Sequence, residues 1–305
     1  MAVKILKNNK LIVISGPTAV GKTNLSIKLA KKFDTAIISA DARQIYKELS
    51  IGTAKPTKEE LSEALHYFID IIDIKTPYSA GDFERDAVEL CSKLFKTNNK
   101  VIVCGGSGLY INALCYGFNE MPKISESIRT EVSELLKKEG VEKLQLLIRE
   151  KDPEYYSEMD INNPRRLSRA LEIIMATGKK YSSYRTGETK KRSFSCIHIG
   201  LQRERDELYS RINQRVDQMM AEGLEEEARS VYEFRDNNAL QTVGYKELFD
   251  YFDGLISRTT AIELIKQNSR RYAKRQMTWF KKNPDIKWFH PDEVEDILGY
   301  LNTVL

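Results

Sequence analysis

Eight consecutive residues near the amino terminus carry the clearest chemistry in the chain. Gly16-Pro17-Thr18-Ala19-Val20-Gly21-Lys22-Thr23 fits GxxxxGK[ST] in full. The glycines let backbone N–H groups turn inward around an anion, and a helix opening at the end of the motif adds its partial positive charge. Lys22 supplies a full charge, and the Thr23 hydroxyl can hold a Mg²⁺ ion. The chemistry is binding of a phosphorylated ligand. ATP is the usual occupant of such a loop and calls for an acidic residue ending another apolar strand. Asp70 and Asp73, in Phe68-Ile69-Asp70-Ile71-Ile72-Asp73, are the candidates, but their alternation also suits a solvent-facing edge. Val101 to Cys104 ends in Gly105-Gly106 without an acid, so the nucleotide case is incomplete.

Two further groups stand where a phosphorylated ligand could meet them. Asp41 follows the apolar run Ala36-Ile37-Ile38-Ser39, and Gly105-Gly106-Ser107-Gly108-Leu109-Tyr110 follows Val101 to Cys104. In an open α/β sheet, ligands sit beyond the carboxyl ends of the strands. A carboxylate, a hydroxyl in a glycine turn and the phosphate cradle then become neighbours. Taken alone, Asp41 could be a helix N-cap, and a glycine turn is common.

The elements that must position these groups follow from the hydrophobic pattern. Leu11 to Ser15 is a continuous apolar run, the mark of a strand buried on both faces of a parallel sheet. Thr23 to Lys32 places Leu25, Leu29 and Ala30 at helical spacing. Ala36 to Ser39, Phe68 to Ile74 and Val101 to Cys104 read as further strands, and Asp82 to Phe95 as a helix started by Gly81-Asp82. This alternation predicts an α/β fold, a P-loop NTPase-like parallel sheet with helices on both faces. After Gly117 helical patterns dominate: Glu126 to Lys138, Val141 to Glu150, Pro164 to Thr177, Arg205 to Ala221, Leu224 to Phe234 and Thr259 to Lys282. Tyr181 to Ser195 reads as a polar loop, and Ser195 to Leu201 as a strand returning to the sheet. The expected organisation is a catalytic core of residues 1–117 and 195–305 around a helical insertion of residues 118–194.

Composition narrows the class. With 41% hydrophobic and 30% charged residues over 305 positions, an ordinary folded, soluble protein is expected. No run of 18 apolar residues exists to cross a membrane. Met1 to Lys10 lacks a signal-peptide cleavage pattern, which points to the cytoplasm. Cys91, Cys104, Cys115 and Cys196 have no metal-binding spacing and read as reduced, mostly buried thiols. His66, His198 and His290 are too few and too dispersed for a zinc site, so no structural metal is expected. The net charge is only +4, yet Arg258 to His290 holds nine Lys or Arg against two acids. A second basic cluster comprises Lys179, Lys180, Arg185, Lys190, Lys191 and Arg192. Both suit a phosphate backbone, and both also suit a solvated helix face. These features admit a P-loop phosphotransferase with an arginine-bearing lid, or an RNA-binding module with a relic P-loop.

Seven segments in order, GPTAVGKT, ISADARQIYK, IGTAKP (Ile51 to Pro56), CGGSGLY, NPRRLSRALE (Asn163 to Glu172), QTVGYKE (Gln241 to Glu247) and AKRQMTWF (Ala273 to Phe280), resemble the bacterial tRNA dimethylallyltransferases across nearly the whole chain. The resemblance implies a monomeric enzyme that moves the dimethylallyl group of dimethylallyl diphosphate to N6 of the adenine next to the anticodon in tRNA. The P-loop would bind the diphosphate rather than ATP, with Mg²⁺ near Thr23. Asp41 matches the family's general base, and Ser107 the hydroxyl of its GGTxLY motif. Arg129 and Arg211 match arginines near tRNA and near the diphosphate. Asp41, Ala42, Arg43, Gln44, Arg165, Arg166, Leu167, Ser168, Arg169, and Gln241, Thr242, Val243, Gly244, Tyr245, Lys246 correspond to segments that touch tRNA. Lys274 and Arg275 would hold its backbone, and the insertion would clasp the anticodon stem. Asp41-Ala42 departs from the family's Asp-Ser, which puts one minor contact in doubt.

Overall fold

The computed structural model describes residues 9–305. Among these, six strands form one sheet in the order β3-β2-β4-β1-β5-β6, parallel throughout. The first half runs β1 (Lys10–Ser15), α1 (Lys22–Phe33), β2 (Ile37–Ser39), α2 (Lys58–Glu63), β3 (His66–Tyr67), α3 (Ala80–Leu94), β4 (Lys100–Gly105) and α4 (Gly108–Tyr116). Leu11, Ile12, Val13 and Ile14 are wholly buried, as a central strand covered on both faces requires. Ile12 and Ile14 pack with Leu25 and Leu29 of α1 on one face. On α3 and α4 at the other face, Phe83 stacks on Tyr110 at 4.5 Å.

The chain divides into two compact units, Met1–Cys115 with Arg192–Leu305, and Tyr116–Lys191. The second unit contains α5 (Glu126–Lys151), α6 (Pro153–Glu158) and α7 (Pro164–Thr177). The helical run α5 breaks at Gly140, whose φ of 77° only glycine adopts without strain, so the two separate helices read from the pattern are physically distinct. Val132, Leu144, Ile148, Leu167, Leu171 and Ile174 form its core. Wholly buried Asp152 fastens the unit, accepting hydrogen bonds from Tyr155 N–H (3.2 Å), Ser182 N–H (2.7 Å) and the Ser182 hydroxyl (2.9 Å).

The first unit resumes with β5 (Ser195–Leu201), α8 (Arg205–Ala221), α9 (Leu224–Ser230), α10 (Tyr245–Phe252), α11 (Arg258–Phe280), β6 (Lys287–Phe289) and α12 (Val294–Val304). Leu208, Ile212, Ile297 and Leu301 join the cluster on the α1 face. No described helix is long and apolar enough to cross a membrane.

Three expectations need correction. Phe68 to Ile74 is not a strand: Phe68 and Asp70 adopt φ of 64° and 56°, which bends the run after β3. The helix read from Asp82 starts earlier, with Ser79 as N-cap and Asp82 completing a capping box from its third position. Arg192 does not belong to a surface patch. It forms a buried ion pair with Glu84 at 2.9 Å and donates to the Leu114 and Ala113 carbonyls ending α4.

Candidate active site

Strand register levels the chemistry. Ser15 pairs with Gly105, and Ser39 with Cys104, so β1, β2 and β4 end at one height. The segments beyond them are stitched together. Ala40 donates its N–H to the Cys104 carbonyl (2.8 Å), Ser107 N–H to the Ala40 carbonyl (3.2 Å), and Ala42 N–H to the Ser107 hydroxyl oxygen (3.0 Å). The Ser107 O–H is thereby left to donate elsewhere. Asp41 closes a turn on itself: one carboxylate oxygen accepts the N–H groups of Arg43 (2.9 Å) and Gln44 (3.4 Å). Its second oxygen takes no part in that turn.

The phosphate loop is braced through its carbonyls. Lys22 Nζ donates to Gly16 (3.1 Å) and Pro17 (2.7 Å), Arg211 Nε to Ala19 (2.9 Å) and Arg203 Nε to Val20 (3.0 Å). Three cations therefore hold four carbonyls, and Ala19 takes a φ of 63° in the process. Burial, helped by a smaller contribution from the Arg215 charge, pulls the Lys22 ammonium down to about 8 against opposing contributions from Cys104 and Asp41. Arg215 is itself held below arginine's ordinary value, by burial and then by the Arg211 charge. A concave backbone with three clustered cations, Lys22, Arg211 and Arg215, is suited to a multiply charged anion.

Sequence reasoning missed the residue that joins the cradle to the glycine turn. Gln276, buried on α11, accepts the Thr18 N–H through Oε1 (2.9 Å) and donates Nε2 to the Gly106 carbonyl (3.0 Å). A Cβ on Gly106 would lie 2.2 Å from Gln276 Nε2, and one on Gly108 would lie 2.2 Å from the Trp279 ring. The glycine turn is therefore glycine-rich so that α11 can lie against it. Arg203, Arg215 and Tyr272 were missed too. Only Arg215, four residues after Arg211 and so on the same face of α8, carried a local signal. The Tyr272 ring lies close enough to Asp41 and Arg43 for their charges to interact. Gln276→Leu is expected to lower turnover roughly 10- to 100-fold, the equivalent of about 1–3 kcal/mol for unpaired buried groups. Steady-state rates at saturating substrates check this.

The remaining candidates fall into distinct settings. Lys274 and Arg275 are exposed on α11, whereas Phe280 is core and Trp279 is 37% exposed. Asp70 pairs with Lys55, and Asp73 accepts from Lys75 N–H and the Thr76 hydroxyl, so neither is aimed at the phosphate loop. The Gln44 amide is engaged by Ser39, Thr53 and Ala54, which makes it a fastener of the loop after Asp41 rather than an open contact. Tyr245 is likewise structural: wholly buried, it donates to Glu227 at 2.6 Å. The same carboxylate accepts the N–H groups of Ser50, Ile51 and Gly52, binding IGTAKP to QTVGYKE. Gln241 donates to the Arg235 carbonyl, Thr242 and Val243 are half-buried, Gly244 is buried and Lys246 is exposed.

In the helical unit, Arg165 and Arg166 are exposed in the first turn of α7, and Arg169 pairs with Glu172 at 3.3 Å. Ser168 is half-buried; Leu167 lies in the core, so its side chain packs and does not reach a ligand. Arg129 stands exposed on α5, 3.7 Å from Glu126.

Comparison with known proteins places this arrangement. A family model described as IPP transferase matches residues 44–283. A protein named tRNA dimethylallyltransferase 2 from Parabacteroides distasonis is 50% identical over 294 residues, covering 96% of this chain and 98% of its own. The tRNA isopentenylpyrophosphate transferase of Bacillus halodurans superposes with a TM-score of 0.73 at 39% identity, over 97% of this chain and 96% of its own. A eukaryotic dimethylallyltransferase solved acting on tRNA gives a TM-score of 0.79 at 26% identity, over 93% of this chain and 74% of its own. The chain belongs to the IPP transferase family and is a prenyltransferase.

Proposed function

We propose that this enzyme transfers the dimethylallyl group of dimethylallyl diphosphate to N6 of an adenine next to the anticodon of tRNA. The observation that carries the reading is the level register of β1, β2 and β4. It sets a cation-braced anion cradle beside an acceptor carboxylate and a donor hydroxyl. The diphosphate rests on the loop with Lys22, Arg211 and Arg215 around it. As the adenine N6 lone pair forms its bond to the allylic carbon, the carbon–oxygen bond to diphosphate breaks. The leaving group takes those electrons onto the cationic cluster. The N6 nitrogen becomes cationic and gives its proton to the second oxygen of Asp41.

A Mg²⁺ ion fits the donor set, because the Thr23 hydroxyl opens α1 and phosphate oxygens and water supply the rest of an oxygen shell. When bound, it would neutralise charge on the departing diphosphate. Leu109, Tyr272 and Trp279 expose apolar surface at 50%, 37% and 37% on the first turn of α4 and on α11, which suits an unstacked base. A single-stranded anticodon loop makes that unstacking least costly. Arg129, Arg165, Arg166 and Arg169 in the helical unit serve the RNA, and the unit clasps the anticodon stem. Four thiols outside any disulfide accord with a reducing cytoplasm.

The test is direct. Purified enzyme, unmodified tRNA, Mg²⁺ and labelled dimethylallyl diphosphate should put label into tRNA. If label stays in the small molecule while tRNA is bound, the reading is wrong. Replacing Lys274 and Arg275 with Ala is expected to weaken tRNA binding and flatten its salt dependence by about one unit of slope per lost phosphate contact. An unchanged slope would remove α11 from the RNA interface.

A further inference from the structure

A second group of chemistry-bearing side chains lies in the first unit and takes no part in the reaction above. Cys196 and His198 alternate along β5, so both stand on one face of the sheet, beside Leu11 and Val13 in register. Cys115 reaches the same place from the last turn of α4. One donor atom from each, two thiol sulfurs and a ring nitrogen, all lie within 4.8 Å of one another. The Cys196 thiol hydrogen-bonds both Cys115 and His198. Cys115 and His198 are 5% and 6% exposed, and Cys196 is partly exposed. Residues separated by some eighty positions thus form a cluster that their sequence spacing hid.

We propose that Cys115, Cys196 and His198 bind a thiophilic divalent cation, Zn²⁺, in a structural site. Donor chemistry argues for this class of ion: two sulfurs and an imidazole suit zinc and exclude the hard, oxygen-seeking Mg²⁺. The geometry is close. Bond lengths of about 2.3 Å to sulfur and about 2.0 Å to nitrogen in a tetrahedron separate the donors by roughly 3.5–3.8 Å. Side-chain rotation of about an ångström closes the observed cluster onto an ion. Charge balances as well: two thiols lose their protons to solvent, and two thiolates with a neutral imidazole cancel the Zn²⁺ charge. A buried neutral complex avoids the cost of burying a bare ion. Cys91, wholly buried on α3, is near enough for its charge to interact with both other thiols; a water molecule takes the fourth position of the tetrahedron, which leaves the complex neutral.

Position gives the site its purpose. Cys115 is the last residue of the first unit before the chain departs, and Cys196 follows its return at Arg192 by four positions. A metal there ties the outgoing helix to the incoming strand. The neighbouring Arg192–Glu84 ion pair, with Arg192 capping α4, already fastens the same junction.

The test uses full-length protein purified under reducing conditions. One equivalent of Co²⁺ should bring up the visible bands of tetrahedral cobalt and a thiolate charge-transfer band, and Zn²⁺ should bleach both. Zn²⁺ should also raise Tm, and a chelator should reverse the rise. Cys115→Ser, Cys196→Ser and His198→Gln should each lose the cobalt spectrum, with circular dichroism confirming that they fold. If a variant does not fold, the cobalt and zinc titrations of the unaltered protein still decide. Absence of thiolate bands at stoichiometric Co²⁺ would overturn the proposal. So would bands that persist in the folded Cys196→Ser variant, or a Cys115–Cys196 disulfide formed in air from protein that takes up no metal.

Discussion

Asp41→Asn is expected to lower kcat by about 10²- to 10⁴-fold, the range for loss of a positioned general base. The substitution is clean because of how Asp41 is held. One oxygen accepts from Arg43 and Gln44 N–H, and an Asn side-chain oxygen can do the same, so the turn survives. The other oxygen becomes an NH₂ group, which donates where the adenine amine needs an acceptor. Equal losses in kcat and in kcat/KM for tRNA are expected, as for an interaction made only in the transition state. Dissociation constants for tRNA and dimethylallyl diphosphate should stay within a few-fold. If tRNA binding collapsed along with turnover, Asp41 would be a structural residue and another group would have to take the proton.

Lys22→Met is expected to cost about 10²- to 10³-fold in kcat, as for removal of one donor to developing negative charge. The pH dependence tests the same residue without a mutation. Burial sets the Lys22 ammonium at about 8 in the free enzyme. Diphosphate favours the charged form, so the bound enzyme's value is higher. The sign follows: as pH rises through about 8, free enzyme loses the proton that the anion requires, and kcat/KM for dimethylallyl diphosphate falls. The kcat profile, which reports the loaded enzyme, should hold to higher pH. A kcat/KM that stays flat beyond this range would show that Lys22 does not carry the diphosphate charge.

What was legible in the sequence was local. The β1 run, its loop and α1 are contiguous, so pattern and motif together located the cradle. The two helices on either side of Gly140 were readable because their apolar spacing is interrupted where the backbone is. Phe68 to Ile74 misled for the opposite reason: its alternation is strand-like, but two residues with positive φ bend the chain, and spacing does not encode φ. The three-residue β6 was too short to show a pattern. Gln276 and Glu227 were invisible because their partners lie far away, 258 residues for Thr18 and 175 for Gly52. Family motifs also mixed roles. Tyr245 and Leu167 sit in segments matched to tRNA contact, yet both are core, because a segment near a ligand must also be anchored.

The bridge made by Gln276 constrains how this enzyme can evolve. A methyl group at position 106 would collide with the amide that position 276 presents, and a shorter residue at 276 would leave Thr18 and Gly106 without their common partner. A side chain at position 106 therefore requires the amide at position 276, 170 residues away, to give up its place, and with it the hydrogen bonds that tie the phosphate loop to the glycine turn.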